Sequence, residues 1–292
     1  MIINRFNMKI FAISTLLLVI LNGEGYSQGT DISASGKQKH FYIGLSPSAG
    51  VSSLSISGTS AITGAKPEGK SSFGTTLDLG YSFNSYIGIS TGIGFSSVSS
   101  AISMDSYSAA FDTTDSEGEK YNRRISGENI HEEQKFSFIK IPLALNLQIP
   151  FTKGFGFYVQ AGVNFCLPKQ MSYNSEGVFS YTGYYSAYNV LISDAGYEGF
   201  KNNVQNNTSG ELKMKSMYSE LFASAGFQIN MGKSVSLLIG ASYTKMSAGL
   251  NNTSSSTFRL SAYPDKMKSI MAGTTSASLS SIGLKLALRI YI

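Results

Sequence analysis

Residues 138–165 read FIKIPLALNLQIPFTKGFGFYVQAGVNF, with an apolar side chain at every second position from Ile139 to Ile149 and again from Phe155 to Phe165. Lys140, Pro142, Ala144, Asn146 and Gln148 stand between the first set, and Gly156, Tyr158, Gln160, Gly162 and Asn164 between the second. A repeat of two is the repeat of a β-strand, so each run has one apolar face and one small or polar face. Which face turns inward decides what the chain folds into.

The same period marks strands at about 41–52, 72–83, 86–96, 138–149, 155–165, 218–231, 235–244 and 278–292. Three connections are short and turn-like: Asn84-Ser85, Pro150 to Gly154, and Gly232-Lys233-Ser234. Four are long, at about 53–71, 97–134, 168–216 and 245–277, and they alternate strictly with the short ones. Compact soluble domains rarely carry several loops beyond ~15 residues. Membrane barrels do, with short turns on one side and long loops on the other. The predicted fold is all-β, an eight-stranded antiparallel up-and-down transmembrane β-barrel with four long extracellular loops.

The small face supports this reading. It carries Gly44, Ser46, Gly50, Gly74, Gly80, Gly88, Gly92, Gly94, Gly162, Gly226 and Gly240, where a water-facing sheet would favour Lys, Glu and Thr. Glycine weakens a strand, so its concentration needs a cause, and the narrow bore of an eight-stranded barrel is one. The apolar face is therefore expected to meet lipid. Aromatic residues near the short turns (Phe41, Tyr42, Phe83, Tyr86, Phe151, Phe155, Tyr291) and near the long loops (Phe73, Phe95, Phe136, Phe138, Phe165, Tyr243) form two expected girdles around an aliphatic band.

The N-terminus fits export. Arg5 and Lys9 precede the apolar run Ile10–Leu21, and Gly25 and Ser27 stand where small residues precede cleavage. Twelve apolar residues are too few for a spanning helix, which needs about 20. The expected organisation is a signal peptide over 1–27 and a barrel domain over 28–292, located in the outer membrane of a Gram-negative bacterium. Cys166 is the sole cysteine, which excludes an internal disulfide and a thiolate metal cluster. A formal charge of +5 without a run of basic residues offers no nucleic-acid footprint.

FIKIPLALNLQI followed by FYVQAGVNF resembles the strand–turn–strand signature of the Bacteroidota outer-membrane β-barrel family, the PorT-like group. Ile141, Pro142, Leu143 and Leu145 stand at its I-P-L-x-L positions, and Gly162 at the glycine of the aromatic-rich strand. The resemblance covers about 40–292. It implies an outer-membrane barrel and favours a secretion-associated role.

Five charged residues fall on the inner face: Asp78, Lys140, Glu220, Lys285 and Arg289. Charges in a narrow bore are costly unless paired, and strand positions suggest Asp78–Lys285 and Lys140–Glu220, helped by Gln148, Gln160, Asn164, Gln228 and Asn230. A proton or ion path is the alternative. No catalytic motif occurs; His131, beside Glu132 and Glu133, is the one histidine placed for a rim enzyme. Asp112, Asp115, Glu117 and Glu119 are oxygen ligands of the type calcium takes, at a spacing that fits no EF-hand. No metal site or cofactor is assigned.

The third connection is rich in tyrosine among Ser, Gly and Asn, a composition suited to recognition. Tyr181, Tyr184, Tyr185 and Tyr188 are its candidate contact residues, with packing over the barrel mouth as the alternative. The expected function is that of a non-enzymatic barrel with a side-chain-filled bore, acting structurally or by recognition in the envelope. Its expected partners are outer-membrane lipid, the barrel-assembly machinery and other envelope proteins. The rival readings are an enzyme at the barrel rim and a narrow small-solute pore.

Overall fold

The computed structural model describes residues 40–58, 64–212, 216–232, 234–248, 259–261 and 267–292. The expected signal peptide lies outside the described residues. Ten strands are present: β1 (Phe41–Gly58), β2 (Lys66–Ser82), β3 (Ile87–Thr114), β4 (Lys120–Pro150), β5 (Phe155–Tyr185), β6 (Val190–Ile192), β7 (Lys201–Glu211), β8 (Tyr218–Met231), β9 (Val235–Ala248) and β10 (Thr274–Tyr291). Eight form a closed antiparallel ring in the order β4-β3-β2-β1-β10-β9-β8-β5, with β5 returning to β4. β6 and β7 pair with the far part of β5.

Long apolar side chains cover the outside of the ring. Leu45, Phe73, Leu77, Leu79, Ile93, Leu143, Leu145, Ile239, Leu284 and Leu286 are all exposed, while the alternate positions Ser46, Asp78, Ser90, Asn146 and Gln160 are buried. A wall that is greasy outside and polar inside is the reverse of a soluble barrel and matches a lipid-facing one. This is the architecture of an outer-membrane barrel.

The strands are far longer than a bilayer requires. At ~3.3 Å per residue, the 31 residues of β4 and of β5 span about 100 Å, whereas ~9–11 tilted residues cross the hydrocarbon. The connections at 97–134 and 168–216 are long as expected, but most of their length is paired strand. β3, β4 and β5 thus continue as a sheet well beyond the side opposite the short turns.

Along β4 the polarity of the two faces inverts. Below residue 138 or so, Leu143, Leu145, Leu147 and Ile149 point out and Lys140, Ala144 and Asn146 point in. Above it, Ser137, Lys135 and Glu133 are outside while Phe138 and Phe136 are buried inside. Phe136 and Phe138 are therefore not girdle residues. They begin an apolar core with Val98, Ile102, Met104, Ile130, Cys166, Met171, Phe179 and Tyr218. The lipid-facing half ends and a water-facing, soluble-type half begins. On β5 the register shift opposite Ser137/Phe138 moves the inward positions from even to odd, so that Met171 and Phe179 also enter the core.

The other end of the bore is closed by rings. Tyr42 and Tyr158 are buried, with Leu238, Ala287 and Arg289 beside them. Tyr291 packs next to Tyr42, ring centroids 5.5 Å apart. Tyr42 and Tyr291 thus also leave the expected girdle and fill the interior. Two glycines make room for these rings. A Cβ on Gly80 would lie 2.0 Å from Tyr42 Cζ, and one on Gly240 would lie 2.6 Å from Tyr158 Oη.

Candidate functional site

Four of the five inner charges, Asp78, Lys140, Glu220 and Lys285, line one stretch of the bore between these two closures, and Arg289 belongs to the closure at Tyr42. Lys140 on β4 and Glu220 on β8 meet across β5, with Nζ 2.7 and 2.9 Å from the two carboxylate oxygens. Asn164 Nδ2 donates to the same carboxylate at 2.6 Å. Asp78 and Lys285 do not form the expected pair. The register sets both Asp78 and Arg289 opposite Gly44, whereas Lys285 lies opposite Ser48. Asp78 instead accepts a hydrogen bond from Ser46 Oγ, and Lys285 Nζ donates to Gln160 Oε1 at 2.5 Å.

Arg289 joins a chain of amides across the bore. Its Nη2 donates to Asn146 Oδ1 (2.9 Å), and Asn146 Nδ2 and Gln160 Nε2 donate to Ser90 Oγ (2.9 and 3.2 Å). The guanidinium also lies 4.5 Å from the centre of the Tyr42 ring. A cavity of 110 Å³ bordered by Asp78, Lys140, Gln160, Glu220 and Lys285 separates these groups. That is room for a few waters.

Glu132, which sequence reasoning treated only as a neighbour of His131, is fully buried in the upper core. Its Oε1 accepts from Gln134 Nε2 and Ser269 Oγ, both at 2.9 Å, and its Oε2 from Ser175 Oγ at 2.5 Å and Ile270 N at 2.6 Å. No cation pairs with it among the described residues. Four donors satisfy a buried carboxylate in place of a counter-ion. They also fasten the short 3-10 turn Ile270–Gly273 inside the barrel, where Ile270, Met271, Met267 and Leu260 are buried. Tyr107 Oη accepts from Leu260 N at 3.1 Å to hold the same segment. A charge flanked by Ile130 and Phe136 at inward positions was the available signal, visible only once 97–134 was read as strand.

His131 faces outward on β4, 4.0 Å from Glu68 and 3.8 Å from Glu133. Among the described residues no serine hydroxyl is hydrogen-bonded to its ring. Glu133 is held below the usual carboxylate range by the Lys70 ammonium, with a further contribution from His131.

The tyrosines of the third connection separate into two groups. Tyr181 is fully buried, its hydroxyl 2.6 Å from Ser261 Oγ and accepting from Asn206 Nδ2 at 2.8 Å, so it presents no contact surface. Tyr184, Tyr185 and Tyr188 reach the far tip. Tyr184 lies under Arg124, 4.5 Å from guanidinium carbon to ring centre, and donates to Asn189. Tyr185 stacks on Tyr121 at 5.1 Å and donates to Asp115 Oδ2 at 3.0 Å. Tyr188 is 62% exposed and donates to Glu119 Oε1 at 2.7 Å.

Tyr185 and Tyr188, but not Tyr184, border a cup of 250 Å³ formed by the β3–β4 turn, the β5–β6 turn and the segment up to Phe200. Asp115, Glu117, Glu119 and Glu198 line it together with half-buried Ile192 and Ala195 and buried Phe200, which make its floor, and Val190, which is exposed at its edge. Arg123 fixes the floor from behind, donating to the carbonyls of Glu198 (3.3 Å) and Gly199 (2.8 Å). Burial pushes the Tyr185 hydroxyl well up, and its hydrogen bond to Asp115 adds to this. Burial alone would raise the Asp115 carboxyl, but hydrogen bonds from the Glu119, Glu117 and Gly118 amides and from Tyr185 bring it below its ordinary value. Among the described residues no three acidic, histidine or cysteine side chains converge as a metal site requires.

No family model matches the chain, and no curated protein does. Among solved structures it aligns with neisserial surface protein A at 8% identity, covering 86% of this chain and 97% of that one, with a TM-score of 0.32. Alignment with OprG of Pseudomonas aeruginosa gives 15% identity, 87% and 99% coverage and a TM-score of 0.32. With the attachment invasion locus protein Ail of Yersinia pestis the values are 12%, 85%, 99% and 0.26.

Proposed function

We propose that this barrel is a sealed outer-membrane component that works by recognition through its outer extension, as a non-enzymatic part of an envelope complex. The observation that carries the reading is the division of the chain into two halves. The membrane half has its bore blocked by Tyr42, Tyr158 and Arg289 at one end and by the Phe138–Tyr218 core at the other. Porins keep a water-filled channel; here the working surface lies outside, on strands about three times as long as the membrane requires.

The resemblance of Ile141-Pro142-Leu143 and Gly162 to the PorT-like group supports a secretion-associated complex in particular. Barrel-assembly machinery is the partner for insertion, and lipid is the partner of the apolar belt. His131 lies among carboxylates and, among the described residues, has no serine partner, an arrangement that favours a structural role over a catalytic one.

Two measurements test the proposal. The purified barrel in planar bilayers is expected to give no steady porin-sized conductance; such channels would overturn the sealed bore. A photo-cross-linking residue at Leu191, exposed at the tip, is expected to trap a discrete protein adduct in intact envelopes, and the absence of any adduct there would overturn recognition by the tip.

A further inference from the structure

We infer that the membrane half of the bore holds a small inorganic anion of the halide class, bound between the Lys285 ammonium and the Ser96 hydroxyl as a buried counter-ion. This site is separate from the outer tip and from recognition there.

One buried charge is left over. The cations Lys140, Lys285 and Arg289 face the bore against the carboxylates Asp78 and Glu220. Lys140 and Glu220 neutralise each other at 2.7 Å. Asp78 shares its row with Arg289: the two flank Gly44, where a Cβ would lie 3.6 Å from Asp78 Cβ and 3.4 Å from Arg289 Cγ. Lys285 stands about 13 Å of strand from that row. Among the described residues it has no ion pair, and its Nζ donates to one neutral acceptor, Gln160 Oε1, at 2.5 Å. An ammonium has further hydrogens to place, and a buried charge without compensation is costly. The wall is backed by lipid and both ends of the bore are closed by side chains, so the opposite charge has to lie inside.

The shape of the bore provides a place for it. Strand pairing sets Lys285, Ser48, Gly74 and Ser96 in one row across β10, β1, β2 and β3. Ser48 and Gly74 are small, which hollows the middle of the row, and the 110 Å³ cavity borders all four residues. A Cβ on Gly74 would project towards this space, 3.1 Å from Ser48 Oγ and 3.6 Å from Ser96 Cβ. Ser96 is 5% exposed, and its hydroxyl has no hydrogen-bond partner among the described residues. A buried hydroxyl left unpaired is destabilising, and this one borders the same cavity as the Lys285 ammonium. Two donors on one cavity, one of them charged, suit an anion. The carboxylates that also border it have donors of their own: Glu220 accepts from Lys140 and Asn164, and Asp78 from Ser46. The volume admits a halide with a few waters and is far below the ~300–1,000 Å³ of sites for larger organic ligands.

Because the bore is closed, the anion is taken in as the barrel forms. The test therefore refolds the full chain into lipid vesicles separately in sodium chloride, sodium bromide and sodium gluconate at equal ionic strength. A ligand bound only by the folded state stabilises it, so the urea midpoint is expected to be higher in either halide than in gluconate. Crystals of barrel refolded in bromide are expected to show an anomalous bromine peak in contact with Lys285 Nζ and Ser96 Oγ. Lys285→Met removes the leftover charge and is expected to abolish both the salt difference and the peak. Ser96→Ala keeps the charge and is expected to lower the occupancy of the peak. Equal midpoints in the three salts would mean that water, or loss of the Lys285 proton, satisfies the cavity, and would overturn the anion site. A bore with ordered waters and no bromine peak, or a salt difference that survives Lys285→Met, would overturn it as well. Should Lys285→Met fail to refold, unchanged bromine occupancy in Ser96→Ala would do the same.

Discussion

Lys140 and Glu220 belong to strands that are not neighbours, and their side chains meet over β5 with both carboxylate oxygens within 2.9 Å of the ammonium. Glu220 is almost wholly buried and Lys140 nearly so. Removing one partner leaves a charge without compensation. Lys140→Met is therefore expected to cost about 3–5 kcal/mol, read from urea unfolding of the barrel in lipid vesicles. Lys140→Met/Glu220→Leu should recover much of that loss. Additive losses in the double variant would mean that the two groups do not act as a pair.

The buried Glu132 carboxylate holds the 3-10 turn Ile270–Gly273 through Ser269 and the Ile270 amide. In Glu132→Ala these buried donors lose their acceptor, at about 1–3 kcal/mol for each group left unsatisfied. Hydrogen exchange at Ile270 and Met271 should accelerate strongly, while exchange in the membrane half of β10 stays unchanged. Equal protection in the variant would show that apolar packing alone retains the turn.

The ring of Tyr42 occupies the space over Gly80. Gly80→Val is expected to prevent the Tyr42 ring from seating and to destabilise the folded barrel, and Tyr42→Ala should rescue that variant in part. The readout is the folded fraction by gel mobility without heating. Failure of rescue would place the cost of valine in the backbone rather than in the ring.

Much of the membrane half was legible in the sequence because period-two alternation there coincides with lipid outside and a narrow bore inside. Leu143 and Ala144 read correctly from their neighbours alone, and eight segments were enough to close the ring. The outer half was not legible, because alternation continues there with the opposite meaning. Phe136 and Phe138 sit in the pattern of a girdle, and only the polar run Ser137, Lys135 and Glu133 between and before them marks the change of solvent. Residues 168–216 are rich in Ser, Gly, Asn and Tyr, a turn-like composition, yet most are paired strand, because β4 supplies a continuous partner. Counting heights along strands matched Lys140 with Glu220. It mismatched Asp78 with Lys285 because the register that sets Arg289 opposite Gly44 is a property of pairing, not of one strand.

Asp115 closes the β3–β4 turn by accepting from the Glu117 and Glu119 amides at 3.0 and 2.8 Å. Its carboxyl titrates below the ordinary 3.8. A carboxylate with a depressed value contributes its full stability above the unfolded value, and that contribution is lost as pH falls through the lower folded one. The Glu117 and Glu119 amide resonances should therefore carry a shift that follows Asp115 protonation, with its midpoint below 3.8. In Asp115→Asn the acid-dependent shift should vanish. A midpoint above 3.8 would contradict the hydrogen-bonded turn.

The inversion of polarity along β4 is tested most directly by spin labels at outward positions 147, 143, 137 and 135, placed one at a time in a Cys166→Ser background in lipid vesicles. Oxygen, which concentrates in lipid, should dominate relaxation at 147 and 143, and a water-soluble nickel chelate should dominate at 137 and 135, with the crossover next to Ile139. Nickel access at 143 and 147, or exclusion of both reagents there, would mean that these leucines face water or a dry protein centre instead of the bilayer.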